Sequence, residues 1–240
     1  MTFSAATARN MSQTWTYFDG EWREGNPAIL GPRTHGAWLG SMVFDGARAF
    51  EGVTPDLDLH LARVNRSAAN MLLEPRVTVE RWRELVEDGL RRFARAAPLY
   101  IRPIYWAEEG LGGGVRFDPA TTNWCLTIYE SPMPQPKGGA IALSPFRRPT
   151  AESAPVNAKA SCHYANGARA LIEAARRGFD NCLMLDMLGN MPNSPIPTPF
   201  LQEMARSSRP RRTEPFSTAS RASALSVCCS TTASRSSRRF

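Results

Sequence analysis

The chain has 240 residues, of which 42% are hydrophobic, and its formal net charge is +7. This length suffices for one large or two small domains. Its longest apolar runs are short and interrupted, so the sequence predicts no membrane-spanning segment, and residues 1–13 lack the charged-then-apolar pattern of a secretory signal. We therefore expect a cytoplasmic protein.

The positive charge is concentrated near the C-terminal end. Residues 201–240 contain eight arginines and two glutamates, a net charge of +6, which leaves +1 for residues 1–200. This segment is rich in serine and poor in large apolar residues, which is typical of disorder. One alternative hypothesis rests on it: a non-catalytic protein whose basic tail binds nucleic acid through the phosphates. The arginines are dispersed with few aromatic residues between them, which disfavours that alternative.

The cysteines and histidines indicate neither a metal site nor a disulfide framework. The sequence contains five cysteines but no CxxC pair, and its three histidines are scattered. We predict no bound metal.

Apolar periodicity predicts alternating strands and helices up to about residue 190. A hairpin comes first, because Asp19-Gly20 separates the aromatic run Thr14–Phe18 from Glu21-Trp22. Trp38–Phe50 predicts a strand and a turn, and Gly110–Gly114 lacks the Lys-Ser/Thr of a P-loop and predicts a flexible loop. The other predicted elements are helices at His60–Leu73, Val77–Ala96 and Tyr164–Gly178, and strands at Leu99–Trp106, Trp124–Glu130, Ala140–Pro145 and Asn181–Asp186.

This pattern predicts two α/β domains joined by a linker rich in proline and glycine, residues 133–139. We expect a small N-terminal domain over 14–132 and the start of a larger domain over 140–190. Residues 1–13 are predicted to be disordered, and 191–240 to form an aberrant Arg/Ser-rich, disordered tail.

Lysine is rare in this chain, which contains only Lys137 and Lys159. Lys159 lies in a loop of small residues, Asn157–Tyr164, before a predicted helix. An isolated lysine is usually a solvated surface charge. A partly buried lysine amine has a lowered pKa, however, and can then attach covalently to an aldehyde cofactor.

The segment Lys159–Tyr164 resembles the Lys-x4-Tyr motif of the class IV aminotransferases, which depend on pyridoxal phosphate (PLP) and place the tyrosine beside the cofactor. His60-Leu-Ala-Arg63 resembles the family helix whose arginine binds the PLP phosphate. The resemblance implies that Lys159 is catalytic and that Lys159, Arg63 and Tyr164 bind PLP. Without it, Arg63 would be interpreted as an exposed helix charge.

Two further segments resemble the branched-chain type of this family. Gly40–Arg48 is similar to its Gly-x-x-x-Phe-[Glu/Asp]-Gly-x-Arg segment, and Tyr100-Ile-Arg102-Pro103 to its Tyr-Ile-Arg-Pro strand. Phe44 would then line the substrate side-chain pocket, with Tyr100 and Arg102 near the substrate. By sequence pattern alone, Phe44 and Tyr100 would be core aromatic residues.

The resemblance implies a two-domain α/β (α+β) fold of the class IV PLP-aminotransferase type, usually a homodimer. The implied reaction is transamination of branched-chain L-amino acids with 2-oxoglutarate. Leu39 stands where branched-chain enzymes commonly carry a tyrosine. This leaves open a D-amino-acid transaminase, an (R)-amine transaminase or an aminodeoxychorismate lyase of the same fold.

The resemblance covers residues 14–190 and then stops. The family next has a glutamate that pairs with the pyridine nitrogen, and later a Gly-Ile-Thr-Arg turn; here Met191-Pro192-Asn193 follows and no such turn appears. We hypothesise a frameshift at Met191, because codons read one register away can encode both missing motifs. The second domain would then be incomplete, and we expect this chain to bind PLP weakly and to have little transaminase activity.

Overall fold

The computed structural model describes residues 11–133 and 138–191. The tail predicted for 191–240 lies outside the described residues except for Met191, where the frameshift is predicted, and residues 1–10 of the predicted disordered N-terminus also lie outside them. Ser12 and Gln13 were predicted to be disordered, but both form hydrogen bonds with the main chain of Glu130. Across the described ranges, no helix has the length and apolar character needed to cross a bilayer.

The chain divides into two compact units, Met1–Pro134 with Pro149–Asn166, and Gln135–Arg148 with Gly167–Phe240. The segment 149–166, which the sequence analysis assigned to the second domain, therefore clusters with the first unit. One reason is a backbone bridge between Ala160 and Val43. The other predicted domain limits stay a prediction.

The first unit is built on an antiparallel sheet, six-stranded within the described residues. Its strands are β1 (Thr14–Phe18), β2 (Glu21–Glu24), β3 (Met42–Phe44), β4 (Ala47–Ala49), β5 (Leu99–Ala107) and β6 (Thr122–Glu130). Their order is β2-β1-β6-β5-β3, and β4 also pairs with β5. The hairpin predicted at Asp19-Gly20 is confirmed, with Phe18 paired with Glu21.

Helices cover one face of this sheet. They are α2 (Leu57–Asn70) and α3 (Val79–Leu90), which follow the short α1 (His35–Leu39). The amphipathic stripes of α2 and α3 bury Leu61, Val64, Trp82 and Val86 against the sheet. Because β-strand side chains alternate between faces, every second residue of β5 joins this core.

The second unit contains a short parallel pair, β7 (Ile141–Leu143) and β8 (Asn181–Leu183). Helix α4 (Cys162–Arg176) buries Ala170 and Ala174, which pack with Ala142 and Cys182. The position that divides the units, between Asn166 and Gly167, falls within α4.

The predicted α/β class is confirmed, and two local predictions are wrong. Helix α1 occupies the start of the stretch predicted as strand and turn, and it ends where Gly40 adopts a left-handed φ of 74°. Helix α3 ends at Leu90, short of the predicted Ala96. After it, Arg92 and Phe93 form turn-like bonds to carbonyls three residues earlier, so the chain leaves the helix there.

Candidate active site

A buried carboxylate, Asp45, lies at the centre of the candidate site, in the turn between β3 and β4. It is fully buried. The Arg63 guanidinium binds it with two bonds, Nε to Oδ2 at 2.6 Å and Nη2 to Oδ1 at 2.8 Å. His60 Nδ1 lies 2.8 Å from Oδ1, and the Gly46 N–H donates to the same oxygen at 2.7 Å. These partners compensate for the loss of hydration.

The same contacts determine the protonation of the Asp45–Arg63 pair. Burial raises the pKa of the Asp45 carboxyl, but the hydrogen bonds from Arg63 and His60 and the charge of Lys159 outweigh burial and hold that pKa well below its usual range. The hydrogen bond to Asp45 raises the pKa of Arg63. Both groups are therefore charged at neutral pH.

Lys159 places its amine beside this pair. Its Nζ is 3.8 Å from Asp45 Oδ1 and 5.3 Å from the centroid of the Phe44 ring, and only 14% of the side chain is exposed. Burial lowers the pKa of the lysine amine, and the nearby Asp45 carboxylate offsets part of this shift. The centroids of the Phe44 and Tyr164 rings are 4.9 Å apart, so Tyr164 packs against the ring that lies beside the amine.

A second cluster forms on β5 and β6. The Arg102 guanidinium lies 5.2 Å from the ring centroid of Tyr100 and 5.1 Å from that of Tyr129, and its Nη2 donates to the Tyr129 hydroxyl. Its buried Nε has no hydrogen-bond partner among the described residues. Burial raises the pKa of the Tyr100 phenol. The cluster thus holds a cation with an unused donor between two aromatic rings.

The close approach of Tyr100 to the Asp45 turn requires glycine at position 46. A Cβ on Gly46 would lie 1.8 Å from the Tyr100 hydroxyl oxygen. The two clusters are therefore in contact through Gly46 and Tyr100.

Every residue predicted for the site lies in the first unit, and the structure brings these residues together in two adjoining clusters. In the first cluster Arg63 and Lys159 contact Asp45, Phe44 lies beside Lys159, and Tyr164 packs against Phe44. In the second, Tyr100 and Arg102 lie beside Tyr129. The roles assigned to them stay predictions.

Sequence reasoning gave no role to Asp45, His60, Ser67 or Tyr129. Asp45 and His60 lie inside the segments that resemble the family, Gly40–Arg48 and His60–Arg63, so they could have been predicted as site residues from those segments. Ser67 accepts a hydrogen bond from the Lys159 main-chain N–H, and Tyr129 pairs with Tyr100 across β5 and β6. No local pattern indicates these last two contacts.

The arrangement fits an anionic aldehyde such as PLP. Two of the five N–H donors of Arg63 are used by Asp45, and a third of its side chain is exposed, so donors are left for a phosphate. The two cations, Arg63 and Lys159, face a single carboxylate, which leaves excess positive charge. Burial lowers the pKa of the Lys159 amine, so this lysine loses its proton and becomes nucleophilic more readily than an exposed lysine does.

Known proteins match this chain in sequence and in fold. The profile of the amino-transferase class IV family matches residues 42–225. A putative branched-chain-amino-acid aminotransferase of Methanocaldococcus jannaschii is 31% identical over 175 residues, covering 72% of this chain and 60% of that protein. Among solved structures, an aminotransferase from Brucella abortus bound to PLP is 51% identical with a TM-score of 0.72, covering 74% of this chain and 63% of that one.

A branched-chain aminotransferase from Thermoproteus uzoniensis, solved with norvaline, is 26% identical with a TM-score of 0.65, covering 74% of this chain and 61% of that one. The chain thus spans about three fifths of the length of these relatives.

Proposed function

The chain belongs to the class IV aminotransferase family, and from this premise we propose that Lys159 is the residue that links PLP for transamination. The observation that carries the proposal is the buried amine of Lys159, held 3.8 Å from the Asp45 carboxylate that also binds Arg63. The Brucella abortus relative, at 51% identity, is an aminotransferase bound to PLP, which supports the same cofactor here.

In this proposal, PLP supplies a ring that withdraws electrons from the substrate's Cα–H bond. Arg63 binds the phosphate with the donors that Asp45 leaves unused, and Asp45 keeps the guanidinium oriented. The Lys159 Nζ moves the proton at the substrate's Cα, and its lowered pKa makes the amine easier to deprotonate for this task than that of an exposed lysine. Phe44, with Tyr164 packed against its ring, excludes water beside that amine.

For the substrate we propose branched-chain L-amino acids with 2-oxoglutarate as the amino acceptor. Relatives at 26–31% identity carry the branched-chain name. Phe44 provides an apolar surface next to the amine, and Arg102, with Tyr100, provides a cation for a carboxylate. We propose this activity for a protein as long as these relatives, acting as a cytoplasmic homodimer. For this chain we expect weak PLP binding and little turnover.

Reductive trapping tests the lysine assignment directly. The protein is incubated with excess PLP and reduced with borohydride, and tryptic peptides are mapped by mass spectrometry. We expect the label on Lys159. Because the chain has only two lysines, Lys137 is an internal control. Lys159→Arg should abolish the label and Lys137→Arg should leave it unchanged. A label on Lys137 alone, or none at any PLP concentration, would contradict the proposal.

A substrate panel tests the specificity. L-leucine, D-alanine and an (R)-amine are each added to the PLP-loaded protein, and formation of the aminated cofactor is followed spectroscopically in a single turnover. A single turnover detects reaction even where turnover is slow. Reaction with L-leucine alone supports the branched-chain proposal, whereas reaction with D-alanine or the amine alone rejects it.

A further inference from the structure

The main chain of Lys159 is held from two sides. Its N–H donates to the Ser67 hydroxyl at 3.0 Å, and its C=O accepts from the Phe44 N–H at 3.2 Å. The flanking residues Ala158 and Ala160 are buried in the core of the first unit. The lysine is thus fixed between helix α2 and strand β3, although its side chain is long and flexible.

Ser67 belongs to the same helix as the charged residues of the site. It is 2% exposed and lies four positions after Arg63, so both side chains are on neighbouring turns of one helix face. Three positions further, Asn70 donates to the Asn157 carbonyl at 2.8 Å. Helix α2 therefore orients Arg63 and also holds the loop that carries Lys159.

We propose that Ser67 is a positioning residue for Lys159, and that its hydroxyl sets the main-chain position from which the amine reaches Asp45. The meaning of this for catalysis rests on the proposed function of Lys159. A lysine side chain has four rotatable bonds, so its amine is placed reproducibly only if the main chain is fixed. Removing the hydroxyl leaves this part-buried N–H without its partner, and we expect the segment to shift in response.

The test compares Ser67→Ala with Ser144→Ala in the full chain. Ser144 is a matched control, because it is 3% exposed and its hydroxyl likewise accepts a main-chain N–H, from Phe146 at 3.1 Å. Three properties are measured: hydrogen exchange of the Lys159 amide, acylation of the Lys159 amine by acetic anhydride across a pH series, and the rate of reductive PLP trapping. Lys137 is the internal standard for acylation. Thermal unfolding records the stability of each variant.

In the parent we expect the Lys159 amide to be protected. In Ser67→Ala we expect its exchange to rise and PLP trapping to slow, each by roughly tenfold, because a small misplacement of a reacting group has a large effect on rate. The pH profile of acylation should shift as well, a change that loss of stability alone does not produce. Ser144→Ala should match the parent in all three properties.

Two outcomes overturn the proposal: trapping in Ser67→Ala at the parent's rate, or equal slowing in both variants. If Ser67→Ala does not fold, hydrogen exchange of the Lys159 amide in the parent protein is the test. An amide without protection overturns the proposal, and a protected amide supports it. If the parent traps no PLP at all, the proposed function fails. The exchange and acylation measurements still test Ser67 by themselves, because they need no cofactor.

Discussion

The two faces of strand β5 differ in what their side chains contact. Leu99 and Ile101 face α2 and α3 and are at most 3% exposed. Tyr100 and Arg102, which alternate with them, face the other way and are half-buried among aromatic rings and charges. One strand therefore contributes to the core with one set of residues and to the candidate site with the other. Substitutions on the first face should change stability, and those on the second should change mainly the site.

The sharpest test of this comparison uses two isoleucines of β5. Ile101 is fully buried on the helix-covered face, and Ile104 is half-buried on the opposite face. Ile101→Ala should lower the free energy of unfolding by about 2–5 kcal/mol, because it leaves a cavity in the core. Ile104→Ala should cost clearly less. Urea unfolding of both variants measures the difference, and equal losses would show that the two faces are not distinct in packing.

Asp45→Asn tests the fully buried charge at the centre of the candidate site. We expect the free energy of unfolding to fall by about 1–3 kcal/mol. This is less than the loss on breaking a fully buried ion pair, because a third of the Arg63 side chain is exposed and water can replace part of the lost contact. The lowered pKa of Asp45 stabilises the folded state fully above about pH 4, and this contribution is lost as the pH falls further.

Unfolding experiments between pH 2 and 7 should therefore show a shallower loss of stability in acid for Asp45→Asn than for the parent. The exposed Asp19→Asn is the control, and its acid profile should follow the parent. An unchanged slope in Asp45→Asn would mean that Asp45 is not charged in the folded protein.

Gly46→Ala tests the contact between the two clusters. The new Cβ would overlap the Tyr100 hydroxyl, so this ring must move, at a cost of about 1 kcal/mol. The displaced ring would be less buried, and the pKa of Tyr100 should fall toward its ordinary value in an alkaline absorbance titration. Gly167→Ala, where a Cβ meets nothing within 4 Å, should cause neither change. A Tyr100 pKa as high in Gly46→Ala as in the parent would disprove the contact.

Tyr129→Phe should have the smallest effect. It removes one hydrogen bond from Arg102 and leaves the ring stacking in place, so we expect a loss of about 0.5–1 kcal/mol. Arg102 should also become more reactive toward phenylglyoxal, as followed by peptide mapping. Unchanged reactivity would indicate that Tyr129 does not hold the guanidinium.

The elements were predictable where local patterns determine them. Strand β6 begins two residues before the predicted Trp124, and the apolar stripe of α3 revealed its buried face. Helix α1 was missed because five residues are too short for a helical period to show. The lysine and arginine motifs predicted Lys159 and Arg63 as site residues because each motif spans only a few consecutive residues, and the structure brings both side chains to Asp45.

The contacts between motifs could not be predicted from sequence. Asp45 is buried as a charge only because His60 and Arg63 of helix α2 and Lys159, about a hundred positions later, converge on it. Nothing around Ser67 distinguishes it from any other small residue on a buried helix face. Its partner, the Lys159 amide, is 92 positions away. Tertiary contacts of this kind depend on the completed fold.

The bridge between Val43 and Ala160 also has a consequence for the order of folding. Strand β3 is the last strand in the sheet order. The segment Lys159–Ser161 bonds to the free side of this strand, where the Lys159 C=O accepts from the Phe44 N–H and the Ser161 hydroxyl donates to the Met42 C=O, 119 positions away. A ribosome releases β3 long before that loop. The nascent chain therefore carries an open strand edge, the kind of edge that pairs with other chains, until the segment with Lys159 closes it. The proposed catalytic lysine is thus also among the last parts of this unit to be set in place during synthesis.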